Sequence, residues 1–275
     1  MNIRLIALDL DGTTMNSENH LSKYNRQTLE EAAASGVHVV VASGRAFDSL
    51  PKEVLQIPGI HYAISSNGAH ITDLRSGKYI YSSYLEPETV ELAIELAQSE
   101  NLMVEAFCEG KPYIAEELYE DIRVNGSVYR NQEYVLTTRK PISNIYKFME
   151  ENRDKLENIN FFFYNENRLR EMSPKIHALP NCNVVSSVKN NIEIGGLNSS
   201  KAKALEVLSE KLEIPRQEIM SFGDAGNDIP MIRYAGFGVA MGNAWEDVKQ
   251  AADYIAESND EDGVGKTIRK YVLNR

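Results

Sequence analysis

Cysteine is scarce in this chain: Cys108 and Cys182 are the only two in 275 residues, far apart and without metal-ligand spacing. That excludes a disulfide framework and a cysteine-built zinc site, and fits two reduced core thiols. The five histidines, His20, His38, His61, His70 and His177, form no HExxH or HxH cluster. Neither a histidine zinc site nor a histidine-based triad is indicated. No stretch approaches the ~18 apolar residues of a membrane helix, so no membrane partner is expected. The first apolar run is short and ends in two aspartates rather than a small-residue cleavage site, so a cytoplasmic chain is expected. Positive charge is in deficit: 29 Lys+Arg stand against 40 Asp+Glu, a net −11. This argues against nucleic acid or an anionic membrane as a partner, but not against a small phosphorylated ligand held by a few local cations. Walker A, a GxGxxG after a strand, the GxSxG elbow, internal repeats and low-complexity tracts are all missing.

What is present is ordinary globular composition, 43% apolar and 25% charged, in a chain long enough for two domains. The first part alternates. Ile3–Leu8 reads as a strand, Ser22 can cap a helix ended by Gly36, and 37–42 is a β-branched second strand. A third strand at 61–65 runs into the turn signal Asn67-Gly68, with strands at 69–72 and 78–82 making an edge hairpin. The middle mixes helices near 87–100, 142–152 and 166–178 with short strands, around a polar stretch, 119–133, that carries no clear pattern. Alternation returns from Ser199 with strands at 219–222 and 238–240 and helices to Leu273. The pattern predicts an α/β fold. Residues 1–83 and 190–275 would form one doubly wound parallel-sheet domain, and 84–189 an inserted α+β domain.

Chemistry gathers at the predicted strand ends, where open α/β sheets bind ligands. Asp9-Leu10-Asp11-Gly12-Thr13 closes the first strand. A two-residue period would put Asp9 and Asp11 on one face, and two close like charges require something positive beside them. A divalent cation and a phosphoryl group to be attacked are the obvious candidates. Ser43-Gly44-Arg45 follows the second strand, before a predicted helix whose N-terminus could hold phosphate. Lys201 opens another helix, and Gly223-Asp224-Ala225-Gly226-Asn227-Asp228 joins a strand to a helix. Each has an ordinary explanation: a turn pair, a helix cap, a solvated lysine, acidic residues at a helix start. Four in order, each at a strand end, are hard to attribute to coincidence.

These four segments together resemble the motifs of the haloacid dehalogenase superfamily of phosphatases. The central insertion, Ser66-Asn67-Gly68-Ala69, Val239–Ala244 and Asn259–Val264 resemble its Cof-type branch with a class IIB cap. The likeness covers both ends of the chain; the middle matches in size and mixed α/β character, and Ala202 stands where glycine often follows the motif lysine. It implies a Rossmann-like core and a Mg²⁺-dependent phosphatase acting on a small phosphorylated metabolite, a sugar phosphate or similar ester. Asp9 would be the nucleophile, forming an aspartyl-phosphate, and Asp11 the general acid and base. Asp9, the backbone carbonyl of Asp11, and Asp224 would hold Mg²⁺. Leu10 and Gly44 through their backbones, Ser43, Lys201 and Asn227 would bind phosphoryl oxygens, with Asp228 behind the metal or lysine. The inserted domain would close over the core and select the leaving group, with Tyr113, Arg123, Asn125, Tyr129 and Arg130 as its polar candidates. Two other readings are a phosphotransferase or phosphomutase, because phosphomannomutases share the start motif and cap, and a non-catalytic phosphometabolite sensor. The sensor predicts loss of Asp9 or Asp11, and both are present.

Overall fold

The computed structural model describes residues 1–127 and 131–274. The chain divides into two compact units, one of Met1–Gly44, Leu50–Ser82 and Ser200–Arg275, the other of Arg45–Ser49 and Ser83–Ser199.

The first unit is built on an eight-stranded sheet. Its strands are β1 (Leu5–Leu8), β2 (His38–Ala42), β3 (Ile60–Ser65), β4 (His70–Asp73), β5 (Lys78–Ser82), β12 (Ile219–Gly223), β13 (Phe237–Ala240) and β14 (Tyr254–Ile255), in the order β14-β13-β12-β1-β2-β3-β4-β5. From β14 to β3 all neighbours are parallel, and β4 and β5 add antiparallel at one edge, as the hairpin signal predicts. β1 is apolar and buried at every position, as a strand covered on both faces must be. The helices are α1 (Lys23–Ala34), α2 (Lys52–Leu55), α8 (Lys201–Lys211), α9 (Ile229–Tyr234), α10 (Glu246–Ala251) and α11 (Gly263–Tyr271). Ala204, Leu205 and Leu208 of α8 and Met231 of α9 pack on Leu5, Ala7 and Val40. α1 and α11 pack together, the Gly265 N–H donating to Asn25 Oδ1 at 2.9 Å. Strand order reverses on the two sides of β1, and such a switch point leaves a crevice at the carboxyl ends of the central strands.

The second unit has a sheet ordered β10-β11-β9-β6-β7-β8. Its strands are β6 (Met103–Cys108), β7 (Lys111–Ala115), β8 (Lys140–Ile142), β9 (Leu156–Phe162), β10 (Cys182–Val185) and β11 (Asn191–Gly196), antiparallel except for β7 with β8. The helices α3 (Pro87–Ser99), α6 (Ile145–Glu151) and α7 (Glu166–His177) cover one face through Val90, Met149 and Met172, against Ile159 and Phe161. On the alternate face α4 (Glu116–Asn125) and α5 (Gln132–Thr138) pack Ile122 and Val135 on Ile114 and Phe162.

Three expectations change. The polar stretch 119–133 falls largely in α4 and α5, which hide few side chains: Ile122 is the one buried residue of α4 and Val135 that of α5. A helix anchored so sparsely leaves no readable apolar stripe. Residues 190–199 were expected in the first unit, yet β11 is buried throughout and pairs with β9 and β10, so its backbone is satisfied in the second sheet. Arg45–Ser49 likewise groups with the second unit. Among the described residues no helix is long and apolar enough to cross a membrane.

Candidate active site

The β1 strand stops at Leu8, and Asp9 is already an extended cap residue on the turn that follows. That turn, Leu10–Thr14, is closed by the Met15 N–H donating to Leu10 O at 2.9 Å and broken by Gly12 at φ +74°. Asp9 and Asp11 therefore lie on a turn and not on successive pleats of β1, as a two-residue period suggests, yet the Asp11 charge still acts on Asp9. Gly12 is needed for more than its φ: a Cβ there would lie 2.5 Å from Asp224 Oδ2. The same turn supports its neighbours, Thr13 Oγ1 donating to Asp224 Oδ1 at 3.0 Å and Thr14 Oγ1 to Asp9 O at 2.6 Å.

Lys201 sits on the first turn of α8, which Ser200 caps by accepting from the Lys203 N–H at 3.0 Å. Its side chain, 1% exposed, donates to Asp9 Oδ1 at 2.7 Å and Asp228 Oδ1 at 2.6 Å. This is no solvated helix lysine. The other Asp228 oxygen accepts from the Asp224 and Ala225 N–H groups at 3.0 and 3.1 Å, which fixes the turn after β12.

Asp9, Asp224 and Asp228 each place a carboxylate oxygen within 4.8 Å of the others. Burial, with repulsion from Asp228 and Asp11, pushes Asp9 up to about 7 against the pull of Lys201. Burial and the charges of Asp9 and Asp228 push Asp224 up to about 9. Burial works against the Lys201 ammonium, but Asp228 and Asp9 overcome it and hold it above its ordinary range. Three crowded carboxylates with one ammonium among them remain short of positive charge. An all-oxygen donor set of this kind suits a hard divalent cation. Asp11 stands outside the trio, half-buried on the turn.

Ser43, 1% exposed, directly follows β2, but no helix starts there: the chain passes through a short turn and α2 begins only at Lys52. The expected helix N-terminus beside Ser43 is thus missing, and Ser43 is not a cap. Its N–H donates to Ile64 O at 2.9 Å. Asn227 is buried after β12 and donates from Nδ2 to Asn67 Oδ1 at 2.9 Å. The side chain of Arg45 lies with the second unit, its guanidinium 4.6 Å over the Tyr134 ring.

Of the polar candidates in the insertion, Tyr113 packs in the apolar cluster against Phe148 at 4.3 Å between ring centroids. Arg123 pairs with Glu120 and Asn125 with Asp121 on the exposed side of α4. Tyr129 and Arg130 lie outside the described residues. Sequence reasoning gave no role to Thr13, Asn67 or Asn243, whose Nδ2 donates to Gly12 O at 2.8 Å. A signal existed for each, since Thr13 lies in Asp9–Thr13, Asn67 in Ser66–Ala69 and Asn243 in Val239–Ala244, all segments that carry the resemblance.

The model of the haloacid dehalogenase-like hydrolases matches residues 6–268. A phosphatase of Bacillus subtilis, YwpJ, is 31% identical over 285 residues, covering 97% of this chain and 99% of its own. The 5-amino-6-(5-phospho-D-ribitylamino)uracil phosphatase YcsE of the same organism is 30% identical over 275 residues, covering 99% of this chain and 97% of its own. A solved haloacid dehalogenase-like hydrolase from B. subtilis superimposes with a TM-score of 0.82 at 30% identity, covering 98% of this chain and all of the other.

Proposed function

The chain belongs to the haloacid dehalogenase-like hydrolases and is a phosphoric monoester hydrolase; we propose that it is a Mg²⁺-dependent one that works through an aspartyl-phosphate on Asp9 and acts on a small polyol or sugar phosphate. The observation that carries this is the array at the carboxyl ends of β1 and β12, where Lys201 bridges Asp9 and Asp228 at 2.7 and 2.6 Å and Asp224 completes the carboxylate trio. The substrate class is supported by the relative YcsE, whose named substrate carries its phosphate on a ribityl chain.

Lys201 holds one oxygen of Asp9 and leaves the other to attack phosphorus. The P–O bond to the leaving alcohol breaks as the new bond forms, and Asp11 delivers its proton to the departing oxygen. Asp11 then takes a proton from water, the water oxygen attacks phosphorus, and Asp9 departs as a carboxylate with inorganic phosphate released. Lys201, Ser43, Asn227 and the N–H groups of Leu10 and Gly44 hold the phosphoryl oxygens. Positioning and charge neutralisation of this kind make up most of phosphoryl-transfer catalysis. Asp9, Asp224 and the Asp11 carbonyl would hold Mg²⁺, with Asp228 fixing the turn beneath them. The ion, when bound, neutralises charge on the phosphoryl group.

The test is phosphate release from a panel of sugar, polyol and vitamin phosphates, with Mg²⁺ and with chelator, for the wild type and Asp9→Asn. We expect chelator-sensitive release, ranked toward polyol and sugar esters, that falls by at least ~10³-fold in Asp9→Asn. Turnover unaffected by chelator, or retained in Asp9→Asn, would overturn the mechanism. A panel led by aromatic or nucleotide esters would overturn the substrate class.

A further inference from the structure

Three successive residues between β3 and β4, Ser66, Asn67 and Gly68, all have positive φ, at 50°, 54° and 93°. A left-handed conformation is sterically unfavourable for a residue with a side chain. A buried run of three persists only where the surroundings impose it. The surroundings here are the loops of the candidate site, all within the first unit. The Asn67 N–H donates to Ser43 O at 3.1 Å. Its side-chain Oδ1 accepts from Asn227 Nδ2 at 2.9 Å and lies so close to Gly44 that a Cβ there would stand 3.0 Å away. A Cβ on Gly68 would fall 2.1 Å from Ser200 O and 3.0 Å from Lys201 N, so the turn is pressed against the start of α8. One short turn thus touches the three loops that carry Ser43 and Gly44, Lys201, and Asn227. Among the described residues the buried Asn227 Oδ1 makes no hydrogen bond, so the bond from its Nδ2 to Asn67 is what orients the amide.

We infer that Asn67 is a positioning residue of the phosphoryl site, which holds the Asn227 amide as a donor and seats the Ser43–Gly44 loop beside it. This rests on the reading of Ser43, Gly44 and Asn227 as phosphoryl-binding groups. The left-handed backbone is a condition of the role. Asparagine tolerates that conformation better than most side chains, and its amide oxygen provides the acceptor that Asn227 needs.

The test measures inorganic phosphate affinity by calorimetry in Mg²⁺, together with kcat and KM, for the wild type, Asn227→Ala, Asn67→Gly and the double variant. Glycine keeps the left-handed turn and removes only the side chain. Loss of one oriented hydrogen bond predicts an affinity for phosphate about tenfold weaker in Asn67→Gly. KM rises in parallel and the thermal midpoint stays near that of the wild type. In the Asn67→Gly background, Asn227→Ala weakens phosphate binding less than about twofold further, because the unheld amide no longer contributes. In an Asn67→Asp background, which keeps an acceptor oxygen, Asn227→Ala costs its full wild-type factor. Asn67→Ser, too short to reach Asn227, repeats the glycine comparison with a second fold-compatible side chain. The inference is overturned if phosphate affinity is unchanged in Asn67→Gly and Asn67→Ser, or if Asn227→Ala costs the same factor with and without Asn67. Failure of the phosphatase reading looks different: a wild type that releases no phosphate from any ester.

Discussion

At the scale of single residues, the site depends on groups that are costly to bury and on one that leaves space. Gly12 combines a φ of +74° with a Cβ position 2.5 Å from Asp224 Oδ2. In Gly12→Ala the new methyl must displace Asp224 and the backbone is strained. We expect the Mg²⁺ concentration for half-maximal turnover to rise at least tenfold, and titration of phosphate release against Mg²⁺ checks it. An unchanged Mg²⁺ requirement would mean that Asp224 relaxes freely. Cys108 shows the opposite behaviour, a polarizable group made inert. It is 3% exposed, and burial with the nearby Glu109 charge pushes its thiol up to about 11. Thiolate is the reactive form, so at pH 8 Cys108 should stay unlabelled by a thiol reagent in the native protein and react on unfolding. Labelling followed by peptide mapping decides this, and rapid native modification would contradict the buried placement.

At the scale of elements, the second sheet carries an ion pair in its interior. Arg139, at the end of α5, meets Glu105 on β6 with two hydrogen bonds of 2.9 Å, the side chains 1% and 0% exposed. Burial disfavours the guanidinium charge, but Glu105 outweighs this and holds Arg139 above its ordinary range. Breaking such a pair from one side leaves a bare buried charge, at about 3–5 kcal/mol, whereas replacing both sides costs much less. Arg139→Met should therefore lower the urea midpoint strongly, and Arg139→Met with Glu105→Leu should recover most of the loss. Equal midpoints for the wild type and Arg139→Met would show that the pair contributes nothing. The pair also explains why α5 was hard to read: an arginine beside a tyrosine and two threonines looks like solvent-facing sequence until Glu105 is seen opposite.

At the scale of the whole molecule, stability should answer to the ion that the carboxylate trio suits. A ligand that binds only the folded state adds ~2.7 kcal/mol at a hundredfold excess over its Kd. For a chain of this size that corresponds to a rise of roughly 5–10 °C in thermal midpoint. Scanning calorimetry with Mg²⁺ and with chelator measures it, and Asp224→Asn should abolish the difference. No shift in the wild type at saturating Mg²⁺ would argue against a resident ion among Asp9, Asp224 and Asp228.

The sequence alone determined the parallel sheet, the strand-end positions of Asp9, Ser43 and Asp224, and the place of Lys201 at a helix start. Each follows from a short local pattern, an apolar or β-branched run or a capped helix, and Ser200 caps α8 as local chemistry requires. Tertiary structure alone decided the rest. The alternation of Ile192 and Ile194 marks a strand, but only pairing with β9 and β10 places it in the second sheet. Ser43 looked like a helix cap, and the next α-helix starts only at Lys52. Asn67 looked like an ordinary hairpin turn residue. Its meaning comes from Ser43, Asn227 and Ser200, which lie 24, 160 and 133 positions away in the chain. Local propensity reads the backbone over a few residues, whereas burial, ion pairing and the crowding of like charges exist only once distant segments have been packed together.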